Sequence, residues 1–440
     1  MNVFIHPERT KWKDLVARPE DDASAILEKV REIVGEVRRS GDEALTRFTK
    51  RFDAYEGSLR VSEEDMRAAS NSVSLELQDA IVAAGKNIER FHAAQRTDDI
   101  KIETQPGVLC GTRKVPLEKV GIYVPGGTAP LFSTVMMLSI PARLAGCREI
   151  VMCTPPGADG TIHEAIFFCA AQFGVTSVFR VGGAQAIAAM AYGTETIPKV
   201  DKIFGPGNRY VTAAKMLAAA DGVPIDMPAG PSEVAVIADA EADPEFVAAD
   251  LLAQAEHGTD SQVILITDSK ELVSSVREEI DRQLVNLPRR EIAATALGNS
   301  RAVVLESVNA AVDFANQYAP EHLIVLTRDS ESVSRQITNA GSIFIGEYSC
   351  ESAGDYASGT NHTLPTNGFA RSYSGVSLDS FQKQITYQKI SRKGILSLGP
   401  VIETLAEAES LAAHKHAVTV RMRAAEISSR AMAGGNDDSV

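Results

Sequence analysis

Four places in this chain carry side chains able to move protons or hold a metal ion. The first is Leu252-Ala253-Gln254-Ala255-Glu256-His257-Gly258. It closes an apolar-periodic run, Pro244 to His257, that reads as a helix, with Gly258 placed to stop it. Gln254 and His257 are three apart, so a helix puts them on one face. The others are Glu321-His322, Asp355, and Glu409 with His414. Each also has a plain reading as a solvated helix end or turn, so the question is whether the four converge.

The residue types say what they could do together. Gln254, His257, Asp355 and His414 offer O, N, O and N donors, a set suited to zinc or a harder divalent ion rather than a thiolate site. Glu321-His322 falls between a helix end and a strand, where an adjacent acid and imidazole could give one pocket two proton-transfer groups. Cys147 and Cys153 could suggest a covalent thiohemiacetal, but their apolar surroundings favour inert packing. Of the eight histidines, His6, His92 and His163 read as surface or satisfied core groups.

These groups need elements to position them. From Lys119 a pattern repeats: a short apolar strand, a glycine turn, a helix. The turns are Val124-Pro125-Gly126-Gly127-Thr128, Val181-Gly182-Gly183-Ala184-Gln185 and Phe204-Gly205-Pro206-Gly207-Asn208. Such alternation predicts parallel sheet covered by helices, with ligands at the carboxyl edge of the strands. Glycine lets backbone approach a phosphate, and a helix start favours an anion. None of the turns is G-x-G-x-x-G, so they also read as tight turns without a ligand. A second α/β unit follows, with strands expected at 234–238, 262–267, 302–305, 323–327 and 342–346. Residues 23–54 and 62–95 read as helix, 104–117 as a hairpin, 347–376 as a long polar loop and 377–430 as mostly helix. Pro7, Trp12 and Pro19 break any regular pattern in residues 1–22, which reads as an arm. Residues 431–440 read as a disordered tail.

Composition sets limits. The 440 residues are 44% hydrophobic and 23% charged, enough for two or more domains with their own cores. A net charge of -14 argues against nucleic acid and anionic membranes as partners. Met1 to Asp21 is mixed and charged without an apolar h-region, so no secretory leader is expected, and no apolar run reaches membrane-spanning length. Five scattered cysteines form neither a disulfide framework nor a zinc pattern, which points to a reducing cytoplasm.

From about Asp22 to Arg421 the chain resembles the histidinol dehydrogenase family. The stretches that carry the resemblance are Tyr123-Val124-Pro125-Gly126-Gly127, Gly182-Gly183-Ala184-Gln185, Lys202 to Asn208, Ile225 to Ser232, Gln254 to Gly258, Pro320-Glu321-His322, Ser352 to His362 and Glu409 to Ala417. The resemblance implies oxidation of L-histidinol to L-histidine with two NAD+ and one water, through a bound aldehyde. It implies one zinc per subunit on Gln254, His257, Asp355 and His414, with the same residues, His322, Ser232 and Glu409 around the substrate. It implies His322 as acceptor of the hydroxyl proton, Glu321 as activator of water, and Tyr123, Gln185 and Asn208 as NAD contacts. The fold implied is α/β, with two incomplete Rossmann-like domains and extended arms crossing in a homodimer with shared active sites. Its parts would be the arm 1–22, a first domain of 23–122 and 235–376 with most of the zinc and catalytic site, an NAD-binding domain of 123–234, a dimerisation arm of 377–430, and the tail. Glu409 and His414 are five apart, so a helix end or bend is needed to aim both at one site. Cys350 stands where the pattern has proline. Other readings are a relative acting on another alcohol such as a sulfonated diol, a zinc hydrolase without NAD, and a non-catalytic nucleotide-binding module.

Overall fold

The computed structural model describes residues 1–18, 23–126 and 130–434. Residues 19–22 of the arm, Gly127 and Thr128 of the first glycine turn, and 435–440 of the tail lie outside the described residues. The chain divides into two compact units. One comprises Met1–Gln95 and Leu117–Phe381; the other comprises Arg96–Pro116 and the chain from Gln382 on.

The first unit holds two all-parallel sheets. The larger has the order Asn2–Ile5, Arg301–Val304, Gln262–Thr267, Glu233–Ala238, His322–Leu326, Ser342–Ile345. Its central strands are apolar on both faces, as a sheet covered by helices requires. Val234 and Val236 pack toward helices Pro244–Ala255 and Lys270–Leu284, while Ala235 and Ile237 pack toward Phe314 and Trp12. The smaller sheet has the order Ser177–Arg180, Glu149–Thr154, Lys119–Tyr123, Lys202–Phe204. The glycine turns follow its strands, as the repeating pattern predicts.

Several expectations need correction. The arm is not structureless: Asn2–Ile5 pairs in parallel with Arg301–Val304 as an edge strand, and Trp12 is buried edge-on to Phe314. Residues 23–95 do not join the larger sheet. Val30, Val34 and Leu45 pack with Val151, Cys153 and Phe179, and Ile81 and Ile88 pack with Ile122 and Met152, all on the smaller sheet. The apolar faces of these helices were visible in sequence, but not which sheet they cover. The stretch 347–376 is not one loop, because a helix spans Glu351–Tyr356. Helix Arg290–Gly298 was also unforeseen.

The second unit is built on an antiparallel sheet. The hairpin strands Lys101–Gln105 and Val108–Pro116 are joined by Gln382–Ile390, which pairs with the second along its whole length. The segment from 377 is mostly helical as expected, but this strand within it was not foreseen. Helices Arg392–Ala408 and Ala412–Gly434 follow, the latter running past residue 430, where the tail was expected to begin. No described helix is long and apolar enough to cross a membrane.

Candidate active site and metal centre

Helix Pro244–Ala255 starts on an Asp243 cap, whose carboxylate accepts from the Glu245 N–H at 2.8 Å, with proline in its first turn. Its last turn presents Gln254. Gln254 is fully buried, and neither Oε1 nor Nε2 has a hydrogen-bond partner. His257 follows just past the helix end, its N–H on the Gln254 carbonyl at 3.2 Å.

Glu321 and His322 arrive from another direction, at the start of strand His322–Leu326. Both are buried, at 6% and 4% exposure. Helix Glu351–Tyr356 adds Glu351 and Asp355, one turn apart and hence on one face. His322 Nδ1 lies 3.7 Å from both Glu321 and Glu351, and Nε2 lies 3.5 Å from Asp355. Burial works against an imidazolium at His322, but the carboxylates of Glu351, Glu321 and Asp355 prevail and raise its pKa to about 10. Burial pushes the Glu321 carboxyl up to about 7, with His322 pulling the other way. Glu351 is raised well above the ordinary carboxyl value by burial. Asp355 is lowered: burial opposes its charge, but hydrogen bonding to His322 and the charges of His322, His362 and His257 together outweigh it.

One ligand atom each from His257, Glu351 and Asp355 lies within 4.8 Å of the others, a spacing a single cation can span. A buried carboxamide with both polar atoms unpaired is costly and fits a further donor to such an ion. The N/O donor set suits zinc. Of the expected ligands, Gln254, His257 and Asp355 belong to the first unit. Glu409 and His414 belong to the second and are exposed. There Glu409 ends helix Arg392–Ala408, Ser410 takes φ 60, and His414 lies in the next helix, so a bend does separate them.

A cleft of ≈ 2030 Å³ in the first unit is lined by Tyr123, Gln185, Asn208, Ser232, His257 and Glu321, among others. It sets the carboxyl edge of the smaller sheet, with its glycine turns, against the amino edge of the larger, where Glu233, Gln262 and His322 begin their strands. Tyr123 is buried, and its hydroxyl accepts from the Gly183 N–H at 3.0 Å. Asn208 caps helix Arg209–Ala220 through Oδ1, at 3.0 Å from Tyr210 N and 3.2 Å from Val211 N.

The thiols stay out of this chemistry. Cys153 is fully buried within its strand, and burial raises the Cys147 thiol to about 12. Cys350 is exposed and precedes helix Glu351–Tyr356 without capping it.

Sequence reasoning gave no role to Glu351, His362, Glu233 or Arg18. Glu351 had a signal in its four-residue spacing to Asp355, but Cys350 gives no cap to announce the helix. His362 is half-buried in the cleft wall with Nε2 unpaired. Arg18 is brought in only by tertiary structure.

Comparison with known proteins covers nearly the whole chain. The histidinol dehydrogenase family profile matches residues 16–422. Histidinol dehydrogenase of Bacteroides thetaiotaomicron is 55% identical over 96% of this chain and 99% of its own length. That of Escherichia coli K12 is 52% identical over 94% of this chain and 95% of its own. The crystal structure of histidinol dehydrogenase from Elizabethkingia anophelis superposes with a TM-score of 0.94 at 54% identity, covering 96% of this chain and 98% of that one.

Proposed function

Because the chain belongs to the histidinol dehydrogenase family, oxidoreductases of histidine biosynthesis, we propose that it carries out both oxidations of L-histidinol at the site described, with NAD+ as hydride acceptor and one zinc ion. The observation that carries this reading is the convergence of Glu321, His322 and Asp355 in one buried group, with His257 facing Asp355 and Glu351.

Gln254, His257 and Asp355 would hold the zinc, with His414 as a fourth ligand. When bound, the ion would supply a Lewis acid that helps to hold and orient the substrate. Ser232 and Glu409 bind the same substrate. Tyr123, Gln185 and Asn208 receive NAD at the glycine turns, where helix starts favour the pyrophosphate. With Oδ1 of Asn208 engaged as a cap, what it offers the cofactor is donation from Nδ2.

The Glu233 carbonyl can only accept, so it holds a proton on His322 Nδ1; Nε2, which faces Asp355 at 3.5 Å, would become the basic nitrogen once the Asp355 carboxylate that favours the imidazolium was taken up by zinc. His322 removes the hydroxyl proton as a hydride passes from the carbinol carbon to NAD+, giving the aldehyde. Glu321 then takes a proton from water as its oxygen adds to the aldehyde carbon. The resulting hydrate loses a second hydride to another NAD+ and leaves as the carboxylate. Each histidinol thus consumes two NAD+ and one water and releases two NADH and three protons.

Absorbance at 340 nm with L-histidinol and NAD+ tests this directly. Turnover is expected, is expected to be lost on chelation, and should return with zinc. Absence of NADH formation would overturn the reading, and full activity of metal-free protein would overturn the metal assignment.

A further inference from the structure

Glu233, the first residue of its strand, touches both proposed catalytic groups through its backbone. Its N–H donates to Glu321 Oε2 at 3.0 Å, and its carbonyl accepts from His322 Nδ1 at 3.4 Å. Its carboxylate is buried and points the other way. Arg18 grips it with both arms of the guanidinium, Nε to Oε2 at 2.9 Å and Nη2 to Oε1 at 2.8 Å. The Tyr318 hydroxyl lies 3.2 Å from Oε2 and 2.9 Å from Gln262 Oε1, and the guanidinium covers the Tyr318 ring at 3.9 Å. Arg18 is itself anchored. Arg301 donates to the carbonyls of Leu15 and Ala17, and strand Asn2–Ile5 fastens the segment to the sheet edge.

A buried ion pair gains little net stability over apolar groups of the same volume, since desolvation offsets the attraction. What a two-pronged, stacked pair does supply is fixed geometry. Here it fixes a residue whose backbone faces both Glu321 and His322.

We propose that Arg18 and Glu233 are positioning residues that aim Glu321 at the attacking water, so that the N-terminal segment is part of the active site. This rests on the functional reading above. The effect should fall on the water step. His322 is also held by the charges of Glu321 and Glu351, each 3.7 Å from Nδ1, whereas the Glu321 carboxylate takes its hydrogen bond from the Glu233 N–H at 3.0 Å.

The test is Arg18→Lys, which keeps the charge and loses the fork. Oxidation of added histidinaldehyde should slow about tenfold, since misplacements well below 1 Å cost that much. KM for histidinol and the single-turnover first hydride transfer should change less than about twofold. In a Glu321→Gln background the same substitution should add nothing, because its route of action is gone. If Arg18→Lys lowers the melting temperature, the double variant Arg18→Met with Glu233→Gln removes both buried charges, and the same partition is expected. Equal slowing of both half-reactions, or an undiminished effect in the Glu321→Gln background, would overturn the proposal. Wild-type turnover in the same assay tests the functional reading separately.

Discussion

His322 is flanked by three carboxylates, and the fold supplies them from two segments: Glu321 beside it in sequence, and Glu351 and Asp355 from a helix about thirty residues on. Glu321 and His322 were legible because they are adjacent, and Gln254 and His257 because they are three apart. Glu351 and Arg18 were not, because burial and pairing across the fold leave no local pattern. Asp53, at the end of helix Ala23–Asp53, makes a residue-scale prediction. Burial raises its pKa from 3.8 to about 6, and its Oδ2 has no hydrogen-bond partner. The folded state therefore holds this proton more tightly than the unfolded state. The stability this contributes is full below about pH 4 and is lost as pH rises through about 6. Asp53→Asn should raise stability at pH 7 by about 1 kcal/mol, a two-unit shift discounted for a half-exposed group. Its advantage should vanish at pH 4. Thermal melts at both pH values check this, and an equal difference at the two would contradict it.

At the scale of elements, the strand–glycine–helix repeat was readable because strand and helix periods differ and glycine punctuates them. Less readable was which edge each sheet offers: the smaller gives its carboxyl edge, as expected, and the larger its amino edge. Pairing partners were the other blind spot. Strand Gln382–Ile390 finds its mate more than 260 residues earlier, which no local pattern reports. The turn at Gly205 shows why the glycine pattern could be trusted. Its φ is 124, and a Cβ there would collide with the Tyr123 carbonyl. The buried pair of Lys215 and Asp226, 2.5 Å apart, braces it: Asp226 accepts from Gly205 N and Lys215 donates to Gly205 O, each at 2.8 Å. Gly205→Ala should cost about 1–3 kcal/mol and raise KM for NAD+. Melting temperature and NAD+ kinetics together check this; both unchanged would contradict it.

At the scale of the molecule, the family identity was written in the long motifs, while the assembly remains a proposal. Val401, Leu405, Val420 and Ile427 are exposed on the two helices of the second unit, which carries Glu409 and His414. A homodimer in which these two residues serve the partner's site accounts for both observations. His257→Asn and His414→Asn homodimers should each be nearly inactive. Random pairing after co-refolding should restore about one quarter of wild-type sites, since half the dimers are mixed and each has one intact site. A mixture as inactive as its parents, despite proven exchange, would contradict sharing. If one site performs two oxidations with a water step between them, NADH counted against limiting L-histidinol must show it. The wild-type protein should release two NADH per histidinol, and Glu321→Gln about one in a single turnover, with the aldehyde retained. One NADH per histidinol from the wild type, or two from Glu321→Gln at the wild-type rate, would contradict it.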